Sequence, residues 1–529
     1  MKIHVNRALS PSPQPPKPSA RPVLVAVGDS LTAGMQDATL DVALQRKSFS
    51  SLIARQTGLD FQVPEVHDGA IPPKLFEPGE VPIWRTMWNY AQVGLAGAGP
   101  VALTALGIQP PSLSLYPLYQ VAGMGKQKGP DDTHNFAVPG FELRHLNEVA
   151  NVSDFTAAAA RGEEDPLFVP VEAPLVKAIL QKGGSEKVGK TEIDLAVEKQ
   201  PDLVTLWAGN NDILFTALMG SVDDRSLTPI EDRRWLLNPG DAQPEYTERI
   251  MPGLESSMVG PNGSLTRLLN ETDAEVMLMN IPDVTTIPHL LTVGEKVGRL
   301  PFEVVLPDGT DVTKKLEEFR IPVGVYGAEE GKRKTFPEGT RVGLGYLLTT
   351  LYRLLASDGS QESFALQSRA SLLTEDEVLD PDEVAQVQEH TKKFNAILEQ
   401  AAKNPRVHLV DVNRALGQAR KGGFPLRGVG PDQKVGASFI GVKGDDGMEG
   451  LFSYDGVHPS DVGQAVVANL ILDVAKEQLA DDSRFESVVQ AETIDEKAVL
   501  KADPRLEAKR PRLVLAEWVP GLLGGFGAR

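Results

Sequence analysis

Four short apolar runs constrain this chain more than any other feature. They occupy residues 23–27 (Val-Leu-Val-Ala-Val), 203–207 (Leu-Val-Thr-Leu-Trp), 274–279 (Ala-Glu-Val-Met-Leu-Met) and 407–412 (Val-His-Leu-Val-Asp-Val). Each is too short for a helix of ordinary length, rich in β-branched residues, and has the length of a buried strand. Turn formers follow three of them at once: Gly28-Asp29, then Ala208-Gly209-Asn210-Asn211-Asp212, then Asn280-Ile281-Pro282-Asp283. Residues 61–66 are a weaker strand candidate. Helical spacing appears between and after these runs, at 48–56, 245–270, 382–403 and 459–478. Strands alternating with helices predict an α/β fold with a mainly parallel sheet covered on both faces.

Two insertions are expected on that frame, at about 65–133 and 290–375. The second carries a hairpin signal at Pro307-Asp308-Gly309 and a helical run around 347–355. The first contains residues 86–125, which hold no formal charge. Gly94, Gly97, Gly99, Pro100, Pro110, Pro111 and Pro117 interrupt that stretch, so it is a poor membrane span. It reads either as an insertion packed on the core or as an apolar wall over a site for a greasy substrate. The remaining boundaries place a Pro-rich leader at 1–22, the main domain at 23–480 and a C-terminal extension at 481–529. No apolar segment follows Lys2 and Arg7, so no signal peptide is expected from these residues. The stiff leader leaves a secreted or periplasmic location open.

Charge narrows the partners. Fifty-three Lys and Arg against 72 Asp and Glu give a net charge of −19, which argues against nucleic acid and against anionic membrane surfaces. The absence of cysteine removes disulfides, thiolate metal sites and cysteine nucleophiles together. No histidine pair has metal-ligand spacing, and no metal or cofactor is expected.

Ser30 follows the first run directly, at the edge where open α/β sheets bind ligands. A serine there is either a helix cap or a nucleophile. Three later segments bear on the choice: Asn135-x-Ala137-x-x-Gly140, Gly209-x-Asn211-Asp212 and Asp455-x-x-His458. Each is commonplace alone. Together they supply the parts of an acyl-transfer site. Ser30 serves as nucleophile, His458 as base because imidazole titrates near neutrality, and Asp455 as the group holding the far ring nitrogen. The backbone N–H groups of Ser30 and Gly140 and the amide of Asn211 are candidate oxyanion donors. Asp212 reads as a helix cap, Trp207 as packing beneath the strand end, and His134 as a surface or core histidine beside the second segment.

One motif competes. Gly184-Ser185-Glu186-Lys187-Val188-Gly189-Lys190-Thr191 satisfies the P-loop pattern. A working P-loop needs a buried strand before it, and residues 174–182 have helical spacing instead. A solvated turn between helices is the expectation.

With these segments in hand, the chain resembles the SGNH hydrolases, the GDSL esterase/lipase family. Gly28-Asp29-Ser30-Leu31-Thr32, Asn135-Phe136-Ala137-Val138-Pro139-Gly140, Gly209-Asn210-Asn211-Asp212 and Tyr454-Asp455-Gly456-Val457-His458-Pro459 match the four family blocks. The resemblance implies Ser30, Gly140, Asn211 and His458 as the four eponymous residues, Asp455 as the triad acid, and a flavodoxin-like three-layer α/β/α sandwich. Asn280-Ile281-Pro282-Asp283 is similar to a further segment of lipase-like members. The expected activity is hydrolysis of a small-molecule ester, lipid-like if the apolar insertion lines the site, through an acyl-serine intermediate. Two alternatives stay open: an inactive lipid- or glycan-binding surface protein on the same scaffold, and an acyltransferase.

Overall fold

The computed structural model describes residues 21–66, 132–154, 169–181, 189–218, 246–305, 309–320, 326–329, 332–344, 378–444 and 446–514. The uncharged stretch at 86–125 and the helical run expected at 347–355 lie outside them.

The four apolar runs form one sheet. Strands β1 (Leu24–Gly28), β2 (Leu203–Trp207), β3 (Glu275–Met279) and β4 (Val407–Val410) lie in that spatial order, every neighbouring pair parallel. Leu24 stands opposite Leu203 and Gly28 opposite Trp207, so β1 and β2 end level. Successive side chains of a strand point to opposite faces. Accordingly Val25, Val27, Val204, Leu206, Val276 and Leu278 enter one apolar cluster, while Leu24, Leu203, Trp207, Met277 and Met279 enter a second. Burial on both faces explains why the runs are mainly apolar instead of alternating; Glu275 and His408, polar exceptions at the start of β3 and in β4, have their side chains 2.8 Å apart. The protein is α/β with a parallel sheet.

Helices follow the strand ends. The chain passes from β1 into α1 (Ser30–Ala33) and α2 (Phe49–Thr57), then α3 (Val169–Ile179) and α4 (Glu192–Glu198). After β2 come α5 (Asn210–Leu218), α6 (Tyr246–Val259) and α7 (Ser264–Glu271), so the helical pattern at 245–270 resolves into two helices. The pattern at 382–403 is α8 (Pro381–Ala401), and α9 (Val412–Gly422) and α10 (Asp461–Gln478) follow, with shorter helices elsewhere in the described residues. Leu175, Ile179, Ile193 and Phe394 join the first cluster; Phe49, Ile53, Ile471 and Leu472 join the second. Ser48, Asp380 and Ser460 cap α2, α8 and α10 through their side chains, each a residue type that competes for free helical N–H groups. Beyond 480 the chain packs back on the second cluster through Phe485, Val488 and Ile494.

One expected strand does not form. Residues 61–66 carry no strand, because Pro64 lacks a ladder donor and Glu65 turns to φ 53°. The outer edge of β1 is instead covered by isolated bridges from Asp60 to Val23 and from Asn135 to Ala26. In the second insertion, residues 307 and 308 of the hairpin signal lie outside the described residues, while Val305 and Asp311 on either side form an antiparallel bridge. Among the described residues no helix is long and apolar enough to cross a membrane.

Candidate active site

The turn after β1 is built by its neighbours. Gly28 adopts φ +149°, and a Cβ there would lie 2.1 Å from the Trp207 carbonyl oxygen, so only glycine fits. Asp29, not Ser30, caps α1. Its Oδ1 accepts from Leu31 N at 3.0 Å and its Oδ2 from Asn210 Nδ2 at 2.8 Å. The cap reading of Ser30 is thereby overturned: a neighbouring residue with an equally good capping side chain takes the task. Ser30 becomes the first residue of α1, 6% exposed. Burial raises Asp29 to about 6, against the lowering effect of its bonds from Asn210 and Leu31 and of nearby His458.

The second and third segments meet each other beside this turn. Asn135 Nδ2 donates to Thr32 O at 3.0 Å, fastening its segment to α1. Gly140 turns at φ +90°, a conformation that L side chains disfavour. Asn211 Nδ2 donates to Phe141 O at 2.9 Å, which holds the amide next to Gly140. Asp212 is not a helix cap. It lies in the first turn of α5 and accepts from Leu143 N at 2.9 Å. Burial and the adjacent Glu142 push it well above the usual carboxylate range.

The last segment forms a pair. His458 Nδ1 lies 2.8 Å from Asp455 Oδ2, and Asp455 Oδ1 accepts from the Val457 and His458 backbone N–H groups, both at 2.8 Å. Burial alone would raise Asp455; the His458 imidazole and these bonds outweigh it and hold the carboxyl well below its ordinary value. Burial opposes charge on His458 as well, yet Asp455, with Asp29 and Asp37 further off, raises its pKa above 6.5. A carboxylate that stays ionised fixes the ring orientation and its tautomer.

Ser30 and Asn211 line one apolar cavity of about 90 Å³, with Val457 and Pro459, the two residues flanking His458, on its wall. Much of the remaining lining is aliphatic, with Leu214, Ile287, Val412, Leu416, Val467 and Leu470. Segments spread over more than four hundred residues thus converge. Gly140 joins through the bond that Asn211 makes to Phe141.

Several residues here carry no signal in the sequence. Glu192 of α4, fully buried, accepts from Gly28 N at 3.1 Å and Val138 N at 3.0 Å, tying the end of β1 to the Gly140 segment. Burial pushes its carboxyl well up. His289 brings Nδ1 within 2.8 Å of the Asp455 carbonyl oxygen, and burial lowers its pKa. Gly456 allows this approach, since a Cβ there would lie 2.7 Å from His289 N. His134 is a core residue, stacked on Phe61 and accepting from Gln62 N at Nδ1. Trp207 packs on Phe49 as expected, ring centroids 5.9 Å apart.

The P-loop-like segment lacks its preceding strand. The described element before it is helix α3, residues 182–188 lie outside the described residues, Lys190 pairs with Glu198 at 2.5 Å, and Thr191 closes a capping box on α4. Among the described residues no group of three or more His, Asp or Glu could hold a metal. No family model, no curated protein and no solved structure matches the chain.

Proposed function

We propose that the protein is a serine ester hydrolase of SGNH type on a flavodoxin-like three-layer α/β/α scaffold. The observation that carries this reading is the Asp455–His458 pair, 2.8 Å apart, beside a cavity that contains Ser30 and Asn211. His458 Nε2 takes the proton of the Ser30 hydroxyl as its oxygen attacks the ester carbonyl carbon. Negative charge then gathers on the former carbonyl oxygen. Three donors face it in this reading: the Ser30 and Gly140 N–H groups and the second hydrogen of the Asn211 amide, the first being engaged by Phe141 O. Collapse expels the alcohol, which receives the proton from His458, and leaves acyl-Ser30. Water, deprotonated by His458, repeats the sequence and releases the acid.

The aliphatic cavity favours an apolar acyl group over a sugar acetate, since only hydrocarbon gains from burial against Leu214, Val412 and Leu470. Turnover of a p-nitrophenyl ester series tests the reading. Ser30→Ala is expected to abolish hydrolysis at every chain length while leaving the circular dichroism spectrum unchanged; retained turnover would remove Ser30 from the chemistry.

A further inference from the structure

The loop that carries the catalytic acid is held from outside its own segment. Three bonds converge on it from two consecutive residues. Asp37 N donates to Ser453 Oγ at 3.0 Å, Tyr454 N donates to Asp37 Oδ1 at 2.7 Å, and Ala38 N donates to Asp455 Oδ2 at 2.5 Å. The last of these reaches the same oxygen that His458 Nδ1 contacts. Asp37 and Ala38 are not relaxed. Both are non-glycine residues in the left-handed region, at φ 54° and 55°, a state that persists only when the surroundings impose it. Burial raises Asp37 to about 6; Arg505 opposes that rise and the nearby Asp455 carboxylate adds to it.

Arg505 contacts this arrangement directly. It arrives from the far end of the chain, past α10, and is 5% exposed. Its Nε donates to Asp37 Oδ2 at 3.2 Å, its Nη2 to Gln36 Oε1 at 2.5 Å and its Nη1 to Asp503 Oδ2 at 3.0 Å. The guanidinium carbon lies 5.7 Å from the centre of the Tyr454 ring, within cation–π range. One planar fork therefore engages the loop after Ser30 through Gln36 and Asp37, and the loop before His458 through Tyr454.

We propose that Arg505 is a positioning residue for the triad, acting through Asp37 and Ala38 to hold Asp455 against His458. The C-terminal segment is then part of the catalytic machinery. This rests on the esterase reading of Ser30, Asp455 and His458. The role belongs to arginine, because a lysine supplies the charge without a fork that spans Gln36 and Asp37. The mechanism is geometric: a displaced acid misorients the imidazole, and misplacement of about 1 Å costs about 10²-fold in rate.

The test measures the rate of Ser30 modification by a fluorophosphonate, together with kcat and KM on a p-nitrophenyl ester, in the full chain. Arg505→Met is expected to slow modification and lower kcat by about 10²-fold with KM little changed. Arg505→Lys should lie between Arg505→Met and wild type. In an Asp455→Asn background Arg505→Met should add no more than about twofold, as residues acting through one another do. Wild-type rates in a folded Arg505→Met protein, or losses that multiply in the Asp455→Asn background, would overturn the proposal. Because Arg505→Met leaves Asp37 and Asp503 buried without their cation, it is the variant most exposed to misfolding. If it does not fold, Arg505→Lys decides, and a rate equal to wild type rejects the role. A wild-type protein that the reagent leaves untouched fails at a different point: the esterase reading falls, and the inference with it.

Discussion

Asp455 and Glu192 are both buried carboxylates that brace loops at the candidate site, Asp455 accepting three backbone N–H groups and Glu192 two. Their ionisation nonetheless runs in opposite directions. Desolvation acts on each in the same sense. Asp455 has an imidazole against its second oxygen and falls well below its ordinary value, whereas Glu192 has only neutral amide dipoles, with Asp29 nearby, and rises well above it. Backbone donors alone do not offset burial here; a cationic partner does. The first carboxylate holds a negative charge that can stabilise an imidazolium. The second ties the end of β1 to the Gly140 segment while charge on it is disfavoured.

Substitutions can break this comparison, and the largest effect is expected at the charged member. Asp455→Asn keeps the shape of the pair but removes the charge and sets the wrong ring tautomer, so kcat should fall about 10⁴-fold with the fold intact. A loss below about tenfold would mean that the ionised acid is not what orients His458. Asn211→Ala should come next, lowering kcat by about 10²–10³-fold if its amide faces the oxyanion; steady-state kinetics on a short-chain ester reads this. Glu192→Gln should change kcat least, and its signature is in stability. A folded-state pKa raised above the unfolded value makes the Glu192 contribution complete at low pH and lost as pH rises through the folded value. The melting temperature of wild type relative to Glu192→Gln should therefore fall as pH rises above the ordinary glutamate value. Asp455, depressed in the folded state, contributes above its unfolded pKa and loses that contribution on acidification through its folded value. Its melting-temperature difference from Asp455→Asn should thus shrink towards low pH. The same sign for both residues would show that the two carboxylates are not electrostatic opposites.

What the sequence made legible follows from the same physics. The strands of the sheet are buried on both faces, so they appear as short, mainly apolar runs without a strict alternation. The Asp455–His458 pair is legible because its members lie three residues apart. Ser30 is ambiguous in the sequence because Asp29 beside it is an equally good cap, and the bond from Leu31 N to Asp29 Oδ1 settles which residue caps. Residues 61–66 resembled a strand by composition, but Pro64 and the positive φ of Glu65 keep them out of the sheet. Glu192 and Arg505 were invisible for a further reason. Each is a charged residue in a polar neighbourhood of the sequence, where a solvated side chain is the usual outcome. Their partners lie 164 residues away at Gly28 and 468 away at Asp37, and no local pattern encodes contacts of that range.

The central claim is that Ser30 is a nucleophile activated by the Asp455–His458 pair. Intact-mass and peptide-mapping spectrometry after exposure to a fluorophosphonate tests it most directly. The account predicts a single adduct on Ser30 in the wild-type protein and none in a folded His458→Ala variant over the same interval. An unmodified wild-type protein, or an adduct on another serine, would contradict it.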